Sequence, residues 1–295
     1  MRLSIVIPTY NRRDRLETVL PSLAAQDFPR DEYEILLSDS GSTDGTKELI
    51  EKLGIPNLRF IQGENRGRSG ARNRGIIDAR GEIILFTDAD IIAGPGLISQ
   101  HLKTHGESPG CAVVGCEVQV DSLEEYEMVK GRREAFRTLH PPGRRRLSWL
   151  YFLTGNASVE KNRLVDAGMF DEDFQGYGHE DLELGYRLEK AGVPILHNSQ
   201  AVNYHWHPVG YEENCERRRL AGISTVRFFR KHGDPIIRLR LGWNPFNFFW
   251  HSLLTAVPPF REWVREGGRQ PGFLREMAYQ YFWTDGIKEA VRSQP

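Results

Sequence analysis

The first ninety residues repeat one rhythm, and that rhythm limits the fold more than any other feature of the chain. A short run of aliphatic residues leads into a polar turn rich in Gly, Asn, Asp or Ser, and a stretch with apolar residues three and four apart follows. Strand-like runs fall at 3–7, 34–38, 58–61 and 82–86, with helical stretches at 13–26, 43–53 and 69–79. Strands joined through helices of this length pair in parallel, which gives an α/β sheet. In open sheets of this class the ligand crevice lies beyond the carboxyl ends of the strands. Here each strand exits into a polar loop: Thr9-Tyr10-Asn11, Asp39-Ser40-Gly41, Gly63-Glu64-Asn65 and Thr87-Asp88-Ala89-Asp90. Four polar loops are therefore expected on one rim. No Gly-x-Gly-x-x-Gly follows the first strand, which excludes a dinucleotide-binding dehydrogenase.

From 94 to 143 the pattern loosens into one clear strand at 111–120, a charged helical segment, and the turn-rich His140-Pro141-Pro142-Gly143 ahead of Arg144-Arg145-Arg146. Regularity returns with a strand at 152–159, helices at 161–167 and 180–191, and strands at 193–196 and 201–204. After 210 the chain turns helical, arginine-rich and aromatic. We expect a domain over 1–210, with halves at 1–93 and 94–210, and a helical extension over 211–295. The 295 residues, 39% of them hydrophobic, suffice for a substantial core. A net charge of -1 argues against a domain that coats nucleic acid. The extension nevertheless carries 14 basic against 9 acidic side chains. Its Phe246, Phe248, Phe249 and Trp250 among arginines suit peripheral contact with an anionic membrane, or equally a helical cap or an oligomer interface. No apolar run is long enough to cross a bilayer, and the first is too short for a signal-peptide core. Three cysteines, Cys111, Cys116 and Cys215, imply no disulfide framework and fit a reducing, cytoplasmic setting, with Cys111 and Cys116 packed as small hydrophobes.

The chemistry gathers on the expected rim. Asp88 and Asp90, two residues apart after an apolar strand, are hard oxygen ligands of the kind that suit Mg²⁺ or Mn²⁺ beside a phosphate. The run from Asn65 to Gly75 mixes glycines with four arginines at a helix start, where backbone N–H groups and guanidinium forks favour an anion. Glu180 and Asp181 open a helix, and a carboxylate there suits a general base. Tyr204-His205-Trp206-His207-Pro208 offers two imidazoles able to complete a metal shell.

In order and spacing, Ile7-Pro8-Thr9-Tyr10-Asn11, Ser38-Asp39-Ser40-Gly41-Ser42-Thr43-Asp44-Gly45-Thr46, Asn65 to Gly75 and Phe86-Thr87-Asp88-Ala89-Asp90 resemble the successive motifs of family-two glycosyltransferases with the GT-A fold. The resemblance continues through Thr154-Gly155-Asn156-Ala157-Ser158 and Gly176-Tyr177-Gly178-His179-Glu180-Asp181 and covers roughly residues 1–207. It implies a Rossmann-like α/β/α sandwich with a mainly parallel sheet. It further implies a metal-dependent, inverting transfer of a sugar from a nucleotide diphosphate, a UDP-sugar favoured, to an acceptor hydroxyl of a glycan or lipid-linked acceptor in polysaccharide or glycolipid synthesis.

Carried over residue by residue, the resemblance puts Pro8, Thr9, Tyr10, Asn11, Asp39, Ser40, Asn65, Arg72, Asp88 and Ala89 on the nucleotide sugar. Thr9 and Asp39 would reach base and ribose, and Arg72 the base or diphosphate. Asp90 would be the principal metal ligand, with Asp88 and His205 completing the site and His207 in reserve, the ion being Mn²⁺ or Mg²⁺. Asp181 would be the general base and Glu180 its orienting neighbour, with Gly155, Asn156 and Glu180 on the acceptor. Ser40 stands where the family often has a second acid, which leaves the base open. The alternatives are a sugar-phosphate nucleotidyltransferase, which the sequence after the first strand disfavours, and a non-catalytic sugar-nucleotide or glycan-binding module. The latter predicts a broken site, yet all four acids are present.

Overall fold

A computed structural model describes residues 1–131, 145–174 and 176–293. The turn at 140–143 and Arg144 of the basic triplet lie outside the described residues. The chain divides into two compact units, Met1–Gln175 with Glu180–Pro208, and Gly176–His179 with Val209–Pro295.

The first unit opens with β1 (Leu3–Thr9), α1 (Arg13–Ala24), β2 (Tyr33–Asp39), α2 (Thr46–Leu53), β3 (Leu58–Gln62), α3 (Gly67–Asp78) and β4 (Ile83–Phe86). It continues through β5 (Ile91–Ala93), α4 (Leu97–Glu107), β6 (Ala112–Val120), α5 (Leu123–Val129) and β7 (Arg146–Leu147). A short 3₁₀ turn (Trp149–Tyr151), β8 (Ala157–Glu160), α6 (Lys161–Asp166), α7 (Glu180–Lys190) and β9 (Ile195–Trp206) complete it. One sheet runs in the order β3-β2-β1-β4-β8-β6-β9-β5, with β7 also paired to β9. β3, β2, β1 and β4 are parallel, as the repeated rhythm predicts. β8 runs antiparallel to both its neighbours, and β6 and β9 are parallel. Because β2 and β4 leave β1 on opposite sides, the crevice of a doubly wound sheet opens between the ends of β1 and β4.

Alternation along β1 sends its side chains to two layers. Leu3, Ile5 and Ile7 are wholly buried in one cluster with Leu16, Val19, Leu20 and Leu23 of α1 and Leu97, Ile98 and Leu102 of α4. Each such side chain contributes about 1.5–3 kcal/mol through removal from water. Val6 faces the other way, toward α3, where Gly75 permits the approach: a Cβ there would stand 2.4 Å from Val6 Cγ1.

Three expectations change. The segment 152–159 is strand only from Ala157, being entered by the 3₁₀ turn. The two strands expected at 193–196 and 201–204 form one, β9, which runs two residues beyond Tyr204. α4, inside the loosely patterned stretch, and β5, just before it, were not expected.

The second unit consists of α8 (Tyr211–His232), α9 (Pro235–Arg240), α10 (Pro245–Ala256), α11 (Pro258–Gly267) and α12 (Phe273–Arg292). Gly176–His179 belongs to it: His179 Nε2 lies 3.0 Å from Thr225 Oγ1, and Ser224 Oγ donates to the Tyr177 carbonyl at 3.1 Å. On α10 the side chains of Phe246, Phe249, Trp250 and Leu253 are exposed at helical spacing. Phe248 is turned inward, against Val226 and Ile287. No helix among the described residues is long and apolar enough to cross a membrane.

Candidate active site

The loop after β1 is stitched to the loop after β2. Asn11 takes a left-handed backbone, φ 51°, which an Asn tolerates. Its N–H donates to Ser42 Oγ at 2.8 Å, and its side-chain oxygen accepts from the Thr43 N–H at 2.9 Å. Asp39 is fully buried, and its carboxylate accepts from the Gly41 and Ser42 N–H groups and from Ser42 Oγ. Asn11 and Asp39 thus shape the rim through their own loops. Ser40 is buried, its N–H donating to the Thr9 carbonyl. Pro8 is half-buried, Ala89 buried, and the Thr9 hydroxyl is buried without a hydrogen-bond partner. Tyr10, 50% exposed, presents its ring on the rim. Asn65 is exposed just before α3, its Oδ1 accepting from the Gly67 N–H at 3.1 Å.

The four arginines of this stretch separate into two kinds. Arg66 and Arg68 are exposed. Arg74 is turned back onto the carbonyls of Asp39 and Glu64, both at 2.8 Å. Arg72 is 1% exposed and lies between two acids, donating through Nη1 to Glu180 Oε1 at 3.0 Å and through Nη2 to Asp88 Oδ1 at 2.9 Å. Its fork pairs with both acids, which ties the β4 exit to the start of α7.

Glu180 and Asp181 begin α7, where the positive end of the helix favours acids. The chain enters through Gly176, Gly178 and His179, all with positive φ, a tight turn that His179 adopts at φ 71°. Burial opposes the charge on Glu180, but Arg72 and Arg68 outweigh it and hold the carboxyl below its usual range. Burial and the adjacent Glu180 charge act together on Asp181, whose carboxyl is pushed up to about 7 despite Arg72. One acid is thereby kept ionised and its neighbour set near neutrality, the arrangement a proton acceptor requires.

Asp90 meets the two late histidines because β5 pairs antiparallel with the end of β9, Ile91 opposite His205. The Trp206 N–H donates to the Asp90 carbonyl at 2.9 Å. Asp90 Oδ1 lies 3.5 Å from His205 Nε2, and Asp90 Oδ2 lies 2.9 Å from His207 Nδ1. One ligand atom from each of the three falls within 4.8 Å of the others, a carboxylate and two imidazoles that fit a divalent transition ion. Asp88 is not in this group, since it faces Arg72, and His207 joins it beside His205. Burial disfavours a charged His205, yet Asp90 and Glu117 prevail and push its imidazole up to about 10. Burial likewise opposes the Asp90 charge, and the two histidines hold its carboxyl well below the usual range.

Gly155 and Asn156 are buried in the fold. Asn156 is buried; its Oδ1 lies 2.8 Å from His101 Nε2, and its amide donates to the Ala201 carbonyl at 2.9 Å. His101 and His105, both from α4, also meet Ser158 Oγ at 2.8 Å. Burial lowers each imidazole to about 4, which keeps this network neutral. Asn156 thereby ties α4, β8 and β9 together. The three cysteines are free, and burial pushes the Cys111 thiol up to about 11. Sequence reasoning missed Glu117, a buried acid beside His205, whose only signal was the one charge within a mostly apolar strand.

Residues 4–170 match the profile of glycosyl transferase family 2. Validoxylamine A glucosyltransferase of Streptomyces hygroscopicus subsp. jinggangensis is 32% identical over 302 residues, spanning 91% of this chain and 69% of that protein. Among solved structures, mannosyltransferase PcManGT from Pyrobaculum calidifontis, in complex with GDP-Man and Mn²⁺, superposes with a TM-score of 0.66 at 19% identity, covering 100% of this chain and 88% of that one. Staphylococcus aureus TarS 1–349 in complex with UDP-GlcNAc gives a TM-score of 0.61 at 18% identity, covering 100% and 93%. These two structural likenesses bear on the fold, which is that of GT-A transferases. With the family profile matching more than half of its length, the chain belongs to glycosyl transferase family 2 and is a glycosyltransferase.

Proposed function

We propose that the protein moves a sugar from a nucleotide diphosphate to an acceptor hydroxyl, with inversion at the anomeric carbon and with a divalent ion held by Asp90, His205 and His207. The observation that carries this reading is that Arg72 joins Glu180, beside Asp181 at the start of α7, to Asp88 of the same β4 exit loop that brings Asp90 to His205 and His207. When bound, the ion supplies positive charge against the departing diphosphate. Asp181 takes the acceptor hydroxyl proton as the new C–O bond forms and the bond to the phosphate oxygen breaks. Glu180, committed to Arg72, orients the acceptor without competing for that proton. Tyr10 offers a ring face to the base, and the unpartnered Thr9 hydroxyl a hydrogen bond beside it. One base without a carboxylate nucleophile calls for a single displacement, so NMR of the product should give the anomeric configuration opposite to the donor's. Retention would overturn the mechanism.

The bound donors named for the two structural neighbours are a UDP-sugar and a GDP-sugar. UDP-sugars are our first choice for this chain, and a glycan or lipid-linked hydroxyl our choice of acceptor. Calorimetry with UDP, GDP, dTDP and CDP tests the donor and the ion together. We expect one nucleotide to bind in a metal-dependent manner, and Asp90→Ala to lose that dependence. Two imidazoles in the ligand set favour Mn²⁺ over the oxygen-seeking Mg²⁺. Mn²⁺ is therefore expected to support the tighter complex. Binding of the same strength with and without metal would remove the ion from the proposal.

A further inference from the structure

We infer that Glu117 is a positioning residue for the metal site: it fixes the ring of His205 and directs Nε2 toward Asp90, and Gly155 leaves the space in which it does so. The inference rests on the reading of Asp90, His205 and His207 as metal ligands. Glu117 lies on β6 and is 5% exposed, with Oε1 3.1 Å from His205 Nδ1. The same oxygen accepts from Gln119 Nε2 at 2.7 Å, and that nitrogen stands 3.3 Å from His205 Nδ1. Parallel pairing of β6 with β9 sets Gln119 opposite His205 and Glu117 opposite Asn203, so both polar side chains reach the histidine from the adjacent strand.

A carboxylate on Nδ1 keeps a proton there and leaves the Nε2 lone pair for a cation, which fixes the tautomer and orientation of a ligating imidazole. Backbone geometry reserves the place of this carboxylate. A Cβ on Gly155 would come within 2.2 Å of Glu117 Oε2, and the Gly155 carbonyl is held by the Asn203 amide at 2.7 Å. Asn203 is the residue paired with Glu117 across the two strands, so one register fixes both the acid and the glycine that accommodates it. This gives Gly155 a role away from the acceptor, where the sequence alone had put it.

Mn²⁺ alone, titrated into the full chain and followed by the EPR signal of the free ion, tests the inference. Glu117→Ala should weaken Mn²⁺ binding by roughly 10- to 100-fold, the range found for lost outer-shell partners of metal ligands. Glu117→Gln, which keeps an oxygen acceptor for Nδ1–H, should fall between that variant and wild type. Gly155→Ala should weaken binding in the same direction by pushing the carboxylate aside. Transfer by Glu117→Ala should recover as Mn²⁺ is raised, which a purely structural defect would not do. Wild-type Mn²⁺ affinity in folded Glu117→Ala and Glu117→Gln overturns the inference and leaves the metal site standing. Absence of Mn²⁺ binding by wild type itself overturns both.

Discussion

Asp181→Asn should lower kcat by about 10²- to 10⁴-fold, the span that a positioned base contributes. Binding of Mn²⁺ and donor nucleotide should stay close to wild type. The amide keeps an oxygen for the Leu182 N–H, which Asp181 Oδ1 accepts at 2.8 Å, so the start of α7 is preserved. In wild type the active form of the base is the carboxylate, pushed up to about 7 by burial and by the Glu180 charge. Turnover should therefore rise with pH through about 7 and level off above it, and the variant's residual rate should lack that inflection. The same shift acts on stability with a definite sign. In the unfolded chain the carboxyl ionises near 3.8; in the fold it retains its proton until about 7. Between those values the folded chain binds the extra proton, so stability falls as pH rises, and the penalty is complete above 7. Asp181→Asn removes the penalty. Its melting temperature should exceed that of wild type at pH 8 and match it near pH 4. A variant that loses activity and is also destabilised at pH 8 would show that Asp181 serves the fold rather than the reaction.

Legibility in the sequence follows the range of the interactions involved. β1 to β4 and their helices declare themselves because each buries a regular apolar stripe, and their polar exits align by the geometry of the sheet. α4 does not, because its buried face includes His101, Thr104 and His105, polar side chains that interrupt the apolar period. β9 reads as two strands because the segment His197–Gln200 between its apolar ends is polar and partly exposed. β5 is three residues long and has meaning only in its pairing with β9, yet that pairing brings Asp90 to His205 and His207. Asp90, Asp181 and His205 stand out as candidates from local motifs. The inclusion of His207, the turning of Asp88 to Arg72 and the presence of Glu117 depend on contacts between distant segments. Arg72 is the sharpest case. An arginine in a glycine-rich, basic stretch reads as an anion ligand, and only the fold reveals that its fork pairs with acids of the β4 exit loop and the start of α7.

Arg72→Met should therefore act first on stability. Removing one partner from a buried ionic group leaves uncompensated charge and costs about 3–5 kcal/mol. Glu180 and Asp88 would face each other across the space the guanidinium leaves, with Glu180 nearly excluded from water. A fall in melting temperature on the order of 10 °C at pH 8 is expected for a domain of this size. Arg72→Lys should recover only part of the loss, since one ammonium does not reproduce the two-armed fork. Arg72→Met with Glu180→Gln should be less destabilised than the sum of the two single variants, because the second change removes the charge that the first had stranded. A donor ligand would behave otherwise: Arg72→Met would keep its melting temperature and lose nucleotide affinity. The clamp also bears on the reaction. Arg72 is among the charges that draw the Asp181 carboxyl downward, opposing burial and Glu180. In Arg72→Met the inflection in the rate should move above its wild-type position near 7, leaving less of the base ionised at neutral pH. Restoring activity by raising the pH would then separate the loss of a tuned base from the loss of a folded site, as both follow from one buried guanidinium.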